Sequence, residues 1–536
     1  MIEPETILVS MYESGVKLTI SDGNIRCHGA LAPEQIGELR NCKQRILDSV
    51  TSMFPGTRTE STSMQTVGVG LLTLAPLSFQ QEPHWKCVSE GNPYYGFETF
   101  AIRLTGRLSI EHLIAALRLI VQRHSILKSR IISVCGVPWQ ADDGFVWNGL
   151  NVVEISGGSV EFESRVTEKV RALSKRHVDW VRGPLFDAAL FKHTERDHVL
   201  GVFVDNAIID GLSMAIFFRE LWLAYTALQR GEQPLFGWEP KQYVEYACWQ
   251  HRAYVDERQR KESYWAANLE RAMALRFPVD CGGNRVAPFS AGQNVIILGN
   301  ELTADIHALG RHQEAPASVV VLAMYFALLS KWCNQRDITV DVVIAGRTMA
   351  EYIATIGFFA QVVPLRVTLG RRETFAGLIG RVRQQLESAN ANLDIRQAGI
   401  IPEELKSGTR FNWLSEDFWT AYEDLDFGRV GIDAPELSPE PSGLDGRPLA
   451  IRPFLGEGLQ TQMSSVDVSI LMRFAYSGKM IVGFIYYRAD MFREETISQF
   501  GMDFRELAEL MVQTPGVQLS NLRTSSGRQV FTADVM

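Results

Sequence analysis

Cysteine is scarce in this 536-residue chain: there are seven, at 27, 42, 87, 135, 248, 281 and 333, widely scattered and without a CxxC pair. Neither a disulfide framework nor a thiolate zinc site is expected from so few and so spaced. Positive charge is short as well. Lys and Arg number 53 against 62 Asp and Glu, a net charge of -9 with no polybasic run, so nucleic acid and an anionic membrane surface are not expected partners. The longest apolar run, "ASVVVLAMYFALLSKWC" (317–333), ends in Lys331 and Trp332 and reads as a buried core helix rather than a membrane span. The region after Met1 has no basic stretch followed by an apolar one, so no secretory signal is read and the cytoplasm is the expected compartment. A Gly-rich phosphate loop and a GxSxG elbow are both missing, which argues against nucleotide use and serine hydrolysis. The histidines form no metal-like cluster in sequence, and His193 and His198, five apart near a strand start, read as surface residues. No metal or diffusible cofactor is expected.

What the chain does have is enough apolar residue, 46%, for more than one core, and at this length two or more lobes follow. The first 50 residues read as a small unit. "ETILVSMYESG" has helical spacing with Gly15 as a stop. "VKLTISDGNIRCHG" alternates Val16, Leu18 and Ile20 against Lys17 and Thr19, turns at Asp22-Gly23, and returns through Ile25 and Cys27, a hairpin. "APEQIGELRNCKQRILDSV" puts Ile36, Leu39, Ile46 and Val50 on one helical stripe. A lone hairpin leaves an open edge, where another chain's extended peptide can add a strand. The phrase "GVKLTISDGNIRCHGALAPEQIGELRNCKQRIL" resembles the tubulysin-type N-terminal docking domains of nonribosomal peptide synthetases and hybrid polyketide assembly lines. That resemblance implies a docking surface of Val16, Leu18, Ile20, Ile25 and Cys27 for the C-terminal docking peptide of an upstream synthetase subunit. A capping subdomain packed on the main body is the alternative.

"TSMFPGTRTESTSMQTVGVG" (51–70) has no helical or strand period and reads as a linker. Beyond it strands and helices mix without a fixed repeat. "SIEHLIAALRLIVQRHSIL" is an amphipathic helix, "FETFAIRL" and "HVLGVFV" are strands, further helices fall at 212–230 and 317–333, and late strands at "VDVSILMRFAY" and "KMIVGFIYYR". The body is α/β.

One strand end raises a chemical question. "VFVDNAIIDGLSM" (202–214) runs from buried Val202-Phe203-Val204 into Asp205, Asn206, Asp210, Gly211 and Ser213, and polar groups at the end of a buried strand must be solvated, paired or used. Seven stretches answer it together: "LAPLSFQQEPHW" (74–85), "RHSILKSR" (123–130), "VRGPLFDAALFKH" (181–193), "SYWAANL" (263–269), "VIAGRT" (343–348), "IGFFAQVVPLRV" (356–367) and "ADMFREETISQF" (489–500). In this order they resemble the condensation-domain superfamily of nonribosomal peptide synthetases. The resemblance implies two chloramphenicol-acetyltransferase-like lobes in a V, with a central tunnel for phosphopantetheine arms. It divides the chain into a docking domain (1–52), a linker (53–73), an N-lobe (74–260), a C-lobe (261–525) and a tail (526–536).

In that family the motif at 205–211 is HHxxxDG. Here it is "DNAIIDG": Asp205 and Asn206 stand at the two histidine positions, and Asp210 and Gly211 are kept. A carboxamide has no proton to exchange near neutral pH, so Asn206 can orient a nucleophile but cannot act as its base. Losing a base costs about 10²–10⁴-fold, whereas positioning is worth an effective molarity of about 10⁵ M or more. The resemblance also implies that Asp210 pairs with Arg347 and holds the loop. A second pattern, the DxxxxDxxS of the heterocyclisation branch, is filled by Asp205, Asp210 and Ser213. Thr461 and Asp467 in "QTQMSSVD" match that branch's late Thr and Asp, six apart. On that reading Asp467 takes and returns a proton with Thr461 as its partner.

The expected function is thus a stand-alone condensation domain that transfers a carrier-bound acyl group to a carrier-bound Cys, Ser or Thr amine, with cyclodehydration to a thiazoline or oxazoline. Two alternatives stay open: an atypical condensation domain forming an amide or ester without cyclising, and a catalytically silent member that recruits a partner. The partners implied are acyl- and aminoacyl-loaded carrier proteins, which bring their own 4'-phosphopantetheine; the domain itself binds no cofactor on this reading.

Overall fold

The computed structural model describes residues 3–21, 23–53, 71–91, 97–147, 149–174, 176, 178–281, 291–396, 400–402, 405, 408–414, 450–453, 469–477 and 479–522. These fall into two compact units, the first formed by residues up to 257 with 347–359 and one strand near 450, the second by the remainder. Each is a mixed α/β body, as the sequence predicts.

The first unit begins with α1 (Pro4–Glu13), β1 (Lys17–Ser21), β2 (Asn24–His28) and α2 (Pro33–Met53), and continues through β3 (Leu72–Pro76), α3 (Gln81–Ser89), β4 (Phe97–Thr105), α4 (Ile110–Arg123), β5 (Arg130–Val134) and β6 (Val137–Asp142). β7 (Asn151–Glu154), α5 (Ser159–Ser174), β8 (Phe186–Thr194), β9 (Asp197–Asp205) and α6 (Gly211–Gln229) follow, then α7 (Tyr243–Leu269), whose last turns belong to the second unit. The second unit holds β10 (Ala291–Ile297), α8 (Gly299–His312), α9 (Ala317–Cys333), β11 (Asp337–Ile344), β12 (Gln361–Thr368), α10 (Phe375–Asn390) and β13 (Thr409–Trp413). After β14 (Ala450–Pro453), which joins the first unit, come β15 (Ile470–Ser477), β16 (Met480–Arg488) and α11 (Glu494–Gln513).

Two five-stranded sheets build the first unit, ordered β2-β1-β3-β6-β5 and β14-β4-β9-β8-β7; the second has one six-stranded sheet, β10-β16-β15-β13-β11-β12. The N-terminal hairpin therefore does not stand alone. β1 pairs antiparallel with β2 on one side and with β3 on the other, Leu18 opposite Cys27 and Leu74. α1 packs on β3 and β6, and Tyr12 sets its ring edge-on to Trp139 and His251 while its hydroxyl donates to Glu82 of α3. Gly15 is required at this joint: its φ is +65°, and a Cβ there would lie 2.3 Å from the carbonyl oxygen of Cys248.

Two sequence expectations are corrected by burial. Ile36 is exposed, and Cys42 takes its place on the buried stripe of α2 with Leu39, Ile46 and Val50. His198 is 1% exposed, because its place in β9 faces the core, and burial holds its imidazole below the ordinary histidine range. α9 is buried along its length apart from Ser318, as expected for a core helix; its one charge, Lys331, pairs with Asp503 at 3.1 Å, and Trp332 donates to the same carboxylate. Among the described residues no single helix is long and apolar enough to cross a membrane.

Candidate functional site

The candidate site grows from the end of β9, a strand buried over eight of its nine residues. Asp205 closes it. Its backbone N–H donates to the Leu185 carbonyl, and its carboxylate, fully buried, accepts from the Ala207 N–H at 2.8 Å and from Trp180 Nε1 at 2.8 Å. The first of these bonds caps a short 3₁₀ turn, Asn206–Ile208, so Asp205 pins the turn that presents Asn206, whose side chain is half-buried.

Four residues on, Asp210 is the N-cap of α6: Oδ1 accepts from the Ser213 N–H at 2.8 Å, three residues into the helix. Such a cap is worth about 1 kcal/mol. Gly211 is the first helical residue. The same carboxylate accepts from Arg347 Nη2 at 3.0 Å and, through Oδ2, from the Phe359 N–H at 3.0 Å. The predicted Asp210–Arg347 pair is therefore present and almost fully buried.

Ser213 is drawn into the same lattice. Its hydroxyl donates to the Gly357 carbonyl at 2.7 Å and accepts from Arg347 Nη2 at 2.6 Å and the Gly357 N–H at 3.0 Å. Arg347 spends its other terminal nitrogen on the carbonyls of Tyr352 and Thr355, at 2.9 and 2.8 Å, and lies 4.0 Å from the ring centre of Phe359. Tyr243 closes the segment from outside, its hydroxyl bridging Ser78 Oγ and the Phe358 carbonyl at 2.7 and 2.5 Å. Gly357 has to be glycine, because a Cβ would fall 2.0 Å from Tyr243 Cδ2. Burial pushes the neighbouring Tyr352 phenol up to about 12, so it stays protonated in this lattice.

α3 lies on this loop. Gln81 Nε2 donates to the Ala207 carbonyl at 2.9 Å, the His84 ring stands edge-on to Phe358 at 4.9 Å, and Trp85 lies 6.0 Å from Trp180. Gln81, His84 and Trp85 share one face of the helix, one turn apart.

Of the sequence-predicted residues, Asp205, Asn206, Asp210, Gly211, Ser213 and Arg347 are brought together here. Thr461 and Asp467 lie outside the described residues. The expected docking residues separate by burial: Val16, Leu18 and Ile20 are 0–1% exposed in the interior of the sheet, which corrects the expectation that they form an open docking face, while Ile25 and Cys27 on the edge strand β2 are half-buried. Sequence reasoning assigned no role to Trp180, Gln81 or the backbone of 357–359, although Gln81 and 357–359 fall inside two of the stretches that carry the resemblance; their contacts join distant parts of the chain, Gln81 and Ala207 being 126 residues apart.

A fold of two mixed α/β units with this Asp–Arg lattice defines a class, and residues 73–401 match the model of the condensation domain; the chain belongs to the condensation-domain family of nonribosomal peptide assembly lines. One of the linear gramicidin synthase proteins of Brevibacillus parabrevis is 30% identical over 334 residues, 61% of this chain and 4% of that protein. Cyclosporin synthetase simA of Tolypocladium inflatum is 25% identical over 433 residues, 80% of this chain and 3% of that one. The chain thus spans a small fraction of the synthetases it matches. Among solved structures, the X-domain from teicoplanin biosynthesis has a TM-score of 0.67 at 21% identity, covering 87% of this chain and 100% of that one. The first condensation domain of the calcium-dependent antibiotic synthetase, in complex with a substrate analogue, has 0.63 at 18%, covering 83% and 98%.

Proposed function

We propose that this protein joins a carrier-bound acyl group to the nucleophile of a second carrier-bound substrate, forming an amide or ester without closing a ring. The observation that carries the reading is the completeness of the loop scaffold. Asp210, Arg347, Ser213 and the backbone N–H groups of Gly357 and Phe359 are joined by hydrogen bonds, with only Arg347 Nε among the arginine nitrogens left without a partner, and Asp205 fixes the turn at Asn206. A loop held this firmly supplies the positioning on which acyl transfer chiefly depends. Asn206 orients the attacking group by a hydrogen bond, in keeping with its carboxamide.

Cyclisation has less behind it. Asp205 and Ser213, whose spacing suggests it, already have both carboxylate oxygens and the hydroxyl in bonds to the protein, so they do not offer a proton relay to a ring-closing intermediate. A cyclising step would fall to Thr461 and Asp467 alone.

The partners on this reading are an acyl-loaded and an aminoacyl-loaded carrier, each bringing its phosphopantetheine arm, in the cytoplasm. The C-terminal peptide of the upstream synthetase adds as a strand to the outer edge of β2, covering Ile25 and Cys27. A second reading, recruitment of a partner without chemistry, draws on the replacement of both motif histidines; the teicoplanin X-domain, of the same fold, forms a complex with OxyB.

The test is the intact mass of the acceptor carrier after incubation with this protein, an acyl-loaded donor carrier and a Cys- or Ser-loaded acceptor. Gain of the whole acyl group is the expected result. Gain less one water returns the cyclising function, and no gain with several competent pairs favours recruitment.

A further inference from the structure

We propose that His84 is the general base of the amide-forming step, a role that rests on the amide-forming reading above. Position 206 carries a carboxamide where the family motif has a histidine, yet the helix that packs on the same turn, α3, carries an imidazole at His84. The two chain neighbours of Asn206 are both tied to α3 or to what it touches. Ala207 accepts from Gln81, and Asp205 accepts from Trp180, against which Trp85 packs. His84 lies between those two anchors on the same helical face, with its ring edge-on to Phe358 at 4.9 Å. Phe358 in turn sits between Gly357 and Phe359, whose N–H groups bind Ser213 and Asp210. The helix position is thereby fixed relative to the loop from both sides. The residue is half-buried with Nδ1 closed off from solvent, which leaves the proton-accepting role to Nε2.

In the reaction the acceptor nitrogen attacks the donor thioester carbonyl. The C–N bond forms and the C–S bond breaks, and the sulfur leaves on the donor phosphopantetheine as thiolate. The proton lost by the nitrogen passes to the His84 imidazole and from it to the thiolate, so the products are an amide and a free thiol. Histidine suits this because its ordinary ionisation lies near neutral pH. Around it, Asp205, Asp210 and Arg347 are held in the loop lattice, Tyr243 by Ser78 and Phe358, and on α3 itself Glu82 by Tyr12 and Lys86 by Glu90; the Cys87 thiol on the same helix is half-buried.

The experiment is single-turnover transfer between loaded carriers over about pH 6 to 9, with wild type, His84→Gln and the double variant His84→Gln/Asn206→His. Wild type is expected to outrun His84→Gln by about 10²–10⁴-fold on the alkaline plateau. The acceptor amine titrates in the same range, but the quotient of the two rates cancels its contribution. That quotient should rise with pH through one ionisation, and the double variant should recover at least about tenfold by restoring an imidazole at the loop. Recovery also shows that the His84→Gln chain folds. A quotient near one, or one that is large but flat with pH, overturns the role of His84 while the amide-forming reading stands. A wild type that forms no product with competent carriers overturns both.

Discussion

Ser213 and Arg347 show how a residue's chemistry is settled by its partners. A serine near two carboxylates has the composition of a reacting hydroxyl, but here it bridges α6 to Gly357 and to Arg347. Ser213→Ala is expected to cost about 1–3 kcal/mol of stability, by leaving buried groups without their partner, and to leave the mass of the carrier-bound product unchanged. Urea unfolding and intact-carrier mass measure the two halves. Arg347→Lys keeps the charge but cannot span Asp210, Ser213 and the carbonyls of Tyr352 and Thr355 together, and should destabilise by about 1–3 kcal/mol. Gly357→Ala should cost about 1–3 kcal/mol through the clash with Tyr243. Much of this site was legible in the sequence, because Asp205, Asn206, Asp210, Gly211 and Ser213 are close in the chain and Arg347 falls in "VIAGRT", one of the stretches that carry the family resemblance. The contacts of Trp180 and Gln81 were not, although Gln81 lies in a quoted stretch, since only tertiary packing brings them to Asp205 and Ala207.

Elements behave differently according to which of their edges are covered. The strands and helices read from periodicity form as expected where one face meets a core: α4, α6 and α9 lie over the predicted stretches. Periodicity says nothing about which strand pairs with which, and so the hairpin β1–β2 reads as free-standing although β3 takes its inner edge. A chain lacking residues 1–53 should therefore expose the edge of β3 and lose the Tyr12 contacts with Trp139 and Glu82; aggregation in size-exclusion chromatography is the expected outcome. At the other sheet, the β8–β9 hairpin carries an acid-sensitive clamp. Arg103 donates two hydrogen bonds to Asp197, at 2.8 and 2.7 Å, and holds its carboxyl below the ordinary range, with His193 adding to the effect. A carboxyl depressed on folding adds stability that is complete above its unfolded value of about 3.9 and is lost as pH falls through the lower folded value. Wild type should lose thermal stability below about pH 4, and Arg103→Leu should lose less over the same interval; melting temperatures in an acid series measure the difference.

For the molecule as a whole, the proposed capture of an upstream synthetase and the proposed chemistry on the carriers are separable tasks. Ile25→Lys with Cys27→Lys, at the outer strand β2, is expected to weaken capture of a carrier protein that bears its docking tail and to spare transfer from a tail-less carrier supplied at high concentration; pull-down and product formation report the two independently. The continuity of the sheet β2-β1-β3-β6-β5 has a practical side for anyone rewiring such assembly lines. The stretch between Met53 and Leu71 invites a splice, since its composition is that of a tether. A recipient enzyme given only the first 53 residues, however, would inherit a half-sheet without the β3 strand and Trp139 surface that complete it. A transplant that keeps its specificity has to carry the junction with it: the hairpin, β3, the β5–β6 pair and the Gly15–Cys248 seam move as one graft.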